Sequence, residues 1–156
     1  MSSLLAVDLG LKTGLALFAG DGRLIWYRSH NYGTTERLKR GVPDILDSIP
    51  DLTELVIEGG GNLANVWEKG AQRRGINLTR TSAEEWRLLF LYPREQRSGQ
   101  DAKKHAGEMA RKVIDWANTS RPTALRHDTA EAIMIGLWGL LHHGWLNALP
   151  KELQRK

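Results

Sequence analysis

Apolar residues recur along this chain with two different periods, and the change from one to the other lays out the fold. The opening runs "LLAVDLG" and "TGLALFAG" are short, apolar and joined by a Gly/Lys turn, and "RLIWYRS" follows the turn sequence "GDG". Such runs, punctuated by glycine turns, predict three strands in hairpin succession, an antiparallel meander. From Thr35 the spacing of Leu38, Val42, Ile45, Leu46 and Ile49 approximates a helical stripe. Pro43 is expected early in that helix or at its true start, because a proline in a helix interior removes a hydrogen bond. "ELVIE" then reads as a buried parallel strand, "NVWEKGAQRRG" as a helix closed by Gly75, and "NLTRT" as another strand. Ser82 with Glu85 three residues later has the capping-box pattern, opening a short helix through "EEWRLLF" that Pro93 ends at the latest. "YPREQRSGQ" is polar, contains Gly and Pro and lacks a cap, so it reads as a basic loop and the most mobile internal segment. Two clear helices follow, "DAKKHAGEMARKVIDWA" and "HDTAEAIMIGLWGLLHHG", the second apolar on most of its circumference and therefore deeply packed. The tail "PKELQRK" is expected to fray.

A meander followed by alternating helices and strands predicts an α/β fold: a mixed central sheet of about five strands, antiparallel through the first three and then parallel, flanked by helices. At 156 residues the chain suits one compact core, placed at residues 1–149 with 150–156 as the tail. The 41% hydrophobic content is spread along the whole sequence, and no apolar run approaches the roughly 20 residues that cross a bilayer, so a soluble protein with no membrane partner is expected. The N-terminus "MSSLLAVDLG" turns acidic before a hydrophobic leader can develop, which argues against a signal peptide. The absence of cysteine excludes disulfides and thiolate metal sites and suits a reducing compartment, with the cytoplasm as the default.

Charge changes the picture further. The net charge of +4 is modest, but residues 60–126 carry 13 Lys and Arg against 7 Asp and Glu, while residues 1–59 carry 6 against 8. A polyphosphate partner fits that basic block, and solvated helix faces are the plainer explanation. Four acidic residues, at three places in the chain, lie in apolar surroundings, where a lone carboxylate costs several kcal/mol or takes up a proton. Asp8 interrupts the first strand, Glu58 ends the "LVIE" strand, and Asp128 with Glu131 opens the most apolar helix. Residues three apart project from one face of a helix, so if the first and fourth strands are neighbours, four carboxylates converge at one end of the sheet. Taken singly, Asp8 suits a turn cap, Asp128 an N-cap and Glu131 a partner for Arg126. An all-oxygen cluster without cysteine suits hard cations such as Mg²⁺ or Mn²⁺.

The order "AVDLGLKTGLALF", "LVIEGGG" and "RHDTAEAIMIGLWG" resembles the RuvC-type branch of the RNase H-like nuclease superfamily. The intervening "GAQRRGINLTRTSAEEWRLLF" is similar to phage and chloroplast Holliday-junction resolvases of that branch, where a Ser/Pro-x-x-x-Trp-Lys/Arg segment follows a strand. Here those residues are Ser82, Trp86 and Arg87. The resemblance implies an RNase H-like fold and a homodimeric, divalent-metal endonuclease that cuts branched, four-way-junction DNA. Asp8, Glu58 and Asp128 match its metal-binding acids and Glu131 its fourth position, around two Mg²⁺ or Mn²⁺ ions. Two ions roughly 4 Å apart activate a water and stabilise the leaving oxygen of an in-line displacement. Lys103 falls where the pattern places a lysine near the scissile phosphate, with Lys104 an equally exposed alternative. Arg73, Arg74, Arg87, Arg94 and Arg97 complete the nucleic-acid-binding candidates. His127, beside Asp128, could ligate a metal, orient the attacking water or help start the helix. His142 and His143 lie at the far end of that helix and suit its dipole instead.

One departure stands out: Gly59, Gly60 and Gly61 occupy the place where bacterial relatives carry an aromatic wedge that parts junction bases. Trp67, the nearest aromatic, reads as core more than as a stacking platform. Three other functions compete. A YqgF-type RNA-processing nuclease shares the opening "DLGLKTGLAL", but generally lacks an acid at the Glu58 position. An actin-like kinase module shares "DLGLKTG", yet needs two such domains. A nuclease-derived binding protein without catalysis would not need a complete acidic set.

Overall fold

A computed structural model of the chain describes residues 2–154. Five strands form one sheet: β1 (Ser3–Asp8), β2 (Lys12–Ala19), β3 (Leu24–Asn31), β4 (Leu52–Glu58) and β5 (Asn77–Thr81), in the spatial order β3-β2-β1-β4-β5. β1–β2 and β2–β3 pair antiparallel, while β1–β4 and β4–β5 pair parallel. This is the expected mixed α/β sheet. Helices α1 (Thr35–Asp47) and α2 (Gly61–Arg74) cover one face, and α3 (Ala83–Phe90), α4 (Gly99–Ala117) and α5 (His127–His142) cover the other. No helix among the described residues is long and apolar enough to cross a membrane.

The central strand shows why both faces are covered. Leu4, Leu5, Ala6 and Val7 have no exposed surface. Successive side chains of a strand point to opposite faces, so Leu5 and Val7 pack with α1 and α2, and Leu4 and Ala6 pack with α3, α4 and α5. The next residue in that alternation, Asp8, falls on the α5 face where the apolar run stops. β4 repeats the arrangement, with Val56 on the α5 side and Glu58 two residues on.

α5 is buried along nearly its whole length, from Thr129 to Leu140 except for the half-buried Glu131. Its first turn lies directly on β2. A Cβ built on Gly14 would stand 1.9 Å from the Asp128 carbonyl oxygen and 3.0 Å from the Thr129 nitrogen, so no side chain fits there and the helix backbone touches the sheet.

Three expectations need correction. Pro43 lies inside α1, at its ninth position; the carbonyl deprived of a partner belongs to Lys39, an exposed residue whose backbone water can reach. The stretch read as a structureless loop holds a 3-10 helix, Pro93–Gln96. It is fastened by Glu95, which is 4% exposed, accepts from the Tyr92 backbone N–H at 2.9 Å and lies 3.1 Å from His105 Nδ1. The tail does not fray from residue 150: Lys151–Leu153 forms a 3-10 turn and Leu153 is fully buried in the α5-side core. Arg155 and Lys156 lie outside the described residues.

Gly14→Ala should therefore cost about 1–3 kcal/mol or more through backbone displacement, whereas Gly60→Ala should stay within about 0.5 kcal/mol. Gly60 has extended dihedrals, φ −150° and ψ −159°, and no atom within 4 Å of an added Cβ. Urea denaturation of the two variants measures the contrast.

Candidate metal centre

One row of residues runs across all five strands at the end where the parallel strands stop. The register pairs Ser29 of β3 with Gly14 of β2, Gly14 with Asp8 of β1, Asp8 with Glu58 of β4, and Glu58 with Thr81 of β5. The only gap in side chains, Gly14, is where α5 enters. Its first turns therefore stand over the row and add Asp128 and Glu131 to it.

Asp8, Glu58 and Glu131 come together: one carboxylate oxygen from each lies within 4.8 Å of the others. Asp128 is not part of that group. Its Oδ2 accepts from Ser29 Oγ at 2.6 Å and its Oδ1 from the Thr129 backbone N–H at 2.8 Å. The expected convergence of four acids is thus three acids with the fourth held toward β3. The cause is the placement of α5 on Gly14, between β1 and β3, so that neighbouring side chains of its first turns lean to opposite sides.

The three-acid group is held from outside by consecutive residues of α3. Trp86 is fully buried and its indole Nε1 donates to Glu58 Oε1 at 3.1 Å. Arg87 Nη2 donates to Glu131 Oε1 at 3.2 Å, so Glu131 pairs with Arg87 and not with Arg126. α3 is placed for this by the Ser82 hydroxyl, which accepts from the Glu85 N–H, and by Trp86 and Phe90 packing into the core. These contacts, and the one from Ser29, had no signature in the sequence beyond the Trp-Arg pair itself.

Burial, followed by the charges of Glu131 and Glu58, pushes the Asp8 carboxyl up to about 9. Crowding of this kind favours a proton held within the group and shared by hydrogen bonds among Asp8, Glu58 and Glu131. Such a set, all oxygen, half-buried and short of positive charge, fits a hard divalent cation. A cation would replace the proton and relieve the repulsion that raises Asp8.

The remaining candidates are spread more widely. His127 is exposed at the first position of α5, and Lys103 and Lys104 are exposed on α4. Arg94, stacked 4.6 Å over the Tyr92 ring, lies in the 3-10 helix, and Arg97 directly follows it. Arg73 and Arg74 lie on α2, across the sheet, where Arg74 forms a two-pronged pair with Asp47 at 2.7 and 3.1 Å. The basic block of the sequence is therefore divided between both faces. Trp67 is fully buried in the core against α1 and the sheet. His143 lies away from the acids, at the C-cap of α5 and bonded to Thr79 at the middle of β5 at 3.0 Å, and His142 stacks on Trp138.

Because the folded state binds a proton on Asp8 that an unfolded carboxylate releases, stability attributable to Asp8 is full below the ordinary carboxylate range and falls as pH rises toward about 9. Without metal, Asp8→Asn should melt several degrees above the parent protein at pH 8, at about 2–4 °C per kcal/mol, and the gap should narrow toward pH 5. Mn²⁺ should close the gap by raising the parent alone. Thermal melts across that pH range, with EDTA or Mn²⁺, provide the check.

No family model and no curated protein matches the chain. In fold, it is similar to the crystal structure of the yeast mitochondrial Holliday junction resolvase, Ydc2, with a TM-score of 0.59 at 11% sequence identity, over 92% of this chain and 81% of that one.

Proposed function

We propose that the chain is a divalent-metal endodeoxyribonuclease that cuts four-way DNA junctions as a homodimer, with residues 1–149 acting as one nuclease domain. The observation that carries this is the Asp8–Glu58–Glu131 group, three carboxylates brought within 4.8 Å by two strands and a helix whose positions the sheet dictates. Its resemblance in sequence to RuvC-type enzymes and its likeness in fold to a junction resolvase favour branched DNA as the substrate.

Asp8, Glu58 and Glu131 would hold the metal, with Asp128 beside them. When bound, two Mg²⁺ or Mn²⁺ ions supply the charge that activates a water and stabilises the leaving oxygen. The chain's own residues do the positioning. Trp86 orients Glu58 by a single N–H and leaves its charge intact. Ser29 holds Asp128 in one rotamer. Gly59 and Gly61 adopt φ of +115° and +75°, conformations that favour glycine, and the turn they make directly after Glu58 carries no side chain to obstruct a phosphodiester backbone. Arg94, Arg97, Lys103 and Lys104, exposed on or beside elements that pack on the same face of the sheet as α5, would hold the strand. Phosphate contacts of this kind position a substrate without reading its sequence.

Labelled four-way junction, linear duplex and single-stranded RNA, incubated with Mg²⁺, Mn²⁺ or EDTA, test the proposal. Paired symmetric nicks confined to the junction and absent in EDTA are expected. Trimming of RNA alone would favour an RNA-processing nuclease, and binding without cleavage a non-catalytic binding protein. Asp8→Asn and Glu58→Gln should each lower cleavage by at least about 10³-fold, on the scale of losing a main electrostatic group at a reacting centre, while junction binding persists. Cleavage undiminished in either variant would sink the assignment.

A further inference from the structure

Two consecutive residues of α3 serve the acid group in different ways. Trp86 offers Glu58 a neutral donor, whereas Arg87 brings Glu131 a permanent positive charge. The pair is well sheltered, with 22% of the Arg87 side chain and 12% of the Glu131 side chain exposed. Arg87 is held by one hydrogen bond to Glu131, through Nη2. Its Nε is buried and has no hydrogen-bond partner, although a guanidinium fork reaches its full strength by donating two parallel bonds to one carboxylate or phosphate. Its carbon Cζ lies over the Trp86 ring, 5.2 Å from the centroid, within reach of a cation–π contact. The ion pair with Glu131 is thus a single-pronged one, made by a group with an unused donor.

A cation bound at Glu131 would meet the Arg87 charge at close range. Arg87 holds Oε1 of that carboxylate, so even a cation on the other oxygen would face like charge across a single, well-sheltered group, and the partner with an alternative acceptor is the one that leaves. We propose that Arg87 is a built-in counter-ion of the acid group: it neutralises Glu131 when no metal is present, is released when a divalent cation binds, and then turns its Nε and Nη donors to a phosphate oxygen of the bound strand. Arg87 is a positioning residue in this scheme. Metal binding and nucleic-acid binding become coupled through one side chain, and the coupling acts equally in both directions. The inference rests on the reading that Asp8, Glu58 and Glu131 bind a divalent cation.

Its test uses the free protein and needs no cleavage. Mn²⁺ titration followed by the electron paramagnetic resonance of the free ion compares the parent chain with Arg87→Gln and Arg87→Lys. Removing the competing charge should tighten Mn²⁺ binding by about tenfold in Arg87→Gln, a factor that corresponds to about 1.4 kcal/mol, and Arg87→Lys should remain near the parent. Thermal melts identify a variant that fails to fold; Arg87→Met, which keeps the aliphatic stem against Trp86, then takes its place. Fluorescence anisotropy on a labelled four-way junction should show Mn²⁺ raising the affinity of the parent and raising that of Arg87→Gln at least about threefold less. Equal or weaker Mn²⁺ binding by Arg87→Gln overturns the release, because it makes Arg87 a brace for Glu131. Equal tightening in Arg87→Lys overturns it too, since charge would not be the cause. Failure of the parent to bind Mn²⁺ overturns the metal-centre reading and this inference with it. A parent that binds Mn²⁺ but not the junction overturns the proposed substrate, while the Mn²⁺ comparison still decides the release from Glu131.

Discussion

The first turn of α5 rests on Gly14, and the rest of the site follows from that contact. With the Asp128 carbonyl 1.9 Å from where a Cβ would stand, the helix backbone sits on β2 itself. A helix normally rides on a layer of side chains above the sheet. Here it descends at one end, which brings its side chains into the same row as those of the strands. Glu131 reaches Asp8 and Glu58 on one side and Asp128 reaches Ser29 on the other. A larger residue at position 14 would lift the helix and separate the acids even if every carboxylate remained.

Having gathered the acids, the fold must also accommodate their charge. Three devices share the work. Asp8 is pushed toward its protonated form by burial and then by its neighbours; Glu131 faces a guanidinium; Glu58 accepts from an indole. Each is reversible. A proton can leave, an ion pair can open, and a neutral hydrogen bond imposes no charge. The group is therefore stable without a cation yet keeps nearly all its capacity to take one, a balance that a permanently neutralised cluster could not achieve.

Much of this was legible in the sequence because it rests on local pattern. The alternation along "LVIE" places Glu58 at a strand end; Asp8, expected to interrupt the first strand, is instead its last residue, and parallel pairing of β1 with β4 makes the two register partners. Gly75 closes α2 with φ +66°, and Ser82 and Ser98 cap the helices that follow them. What escaped notice depends on contacts distant in the chain. Asp128 and Glu131 look equivalent on a helical wheel, and only the position of α5 over Gly14 separates them. Glu95 reads as one more charge in a polar loop, because its role depends on Tyr92 folding back and His105 arriving from α4. Arg74 belongs to the basic block by composition but is tied to Asp47 of α1, a residue 27 positions earlier. Pro43 misleads for the opposite reason: the local rule is sound, and an exposed surface made the exception cheap.

The order of the elements along the chain has a consequence for biosynthesis. α5 is the last long element, yet it lies against β1 and β2, the first two strands. The third carboxylate and its supporting ion pair thus join residues 8, 58, 87 and 131. Until the ribosome has released position 131 and the residues that let α5 dock, a growing chain presents Asp8 and Glu58 without Glu131, beside an apolar sheet face that nothing yet covers. Docking of α5 both supplies the third acid and covers that sheet face, so completing the acid group and closing this part of the core are one event.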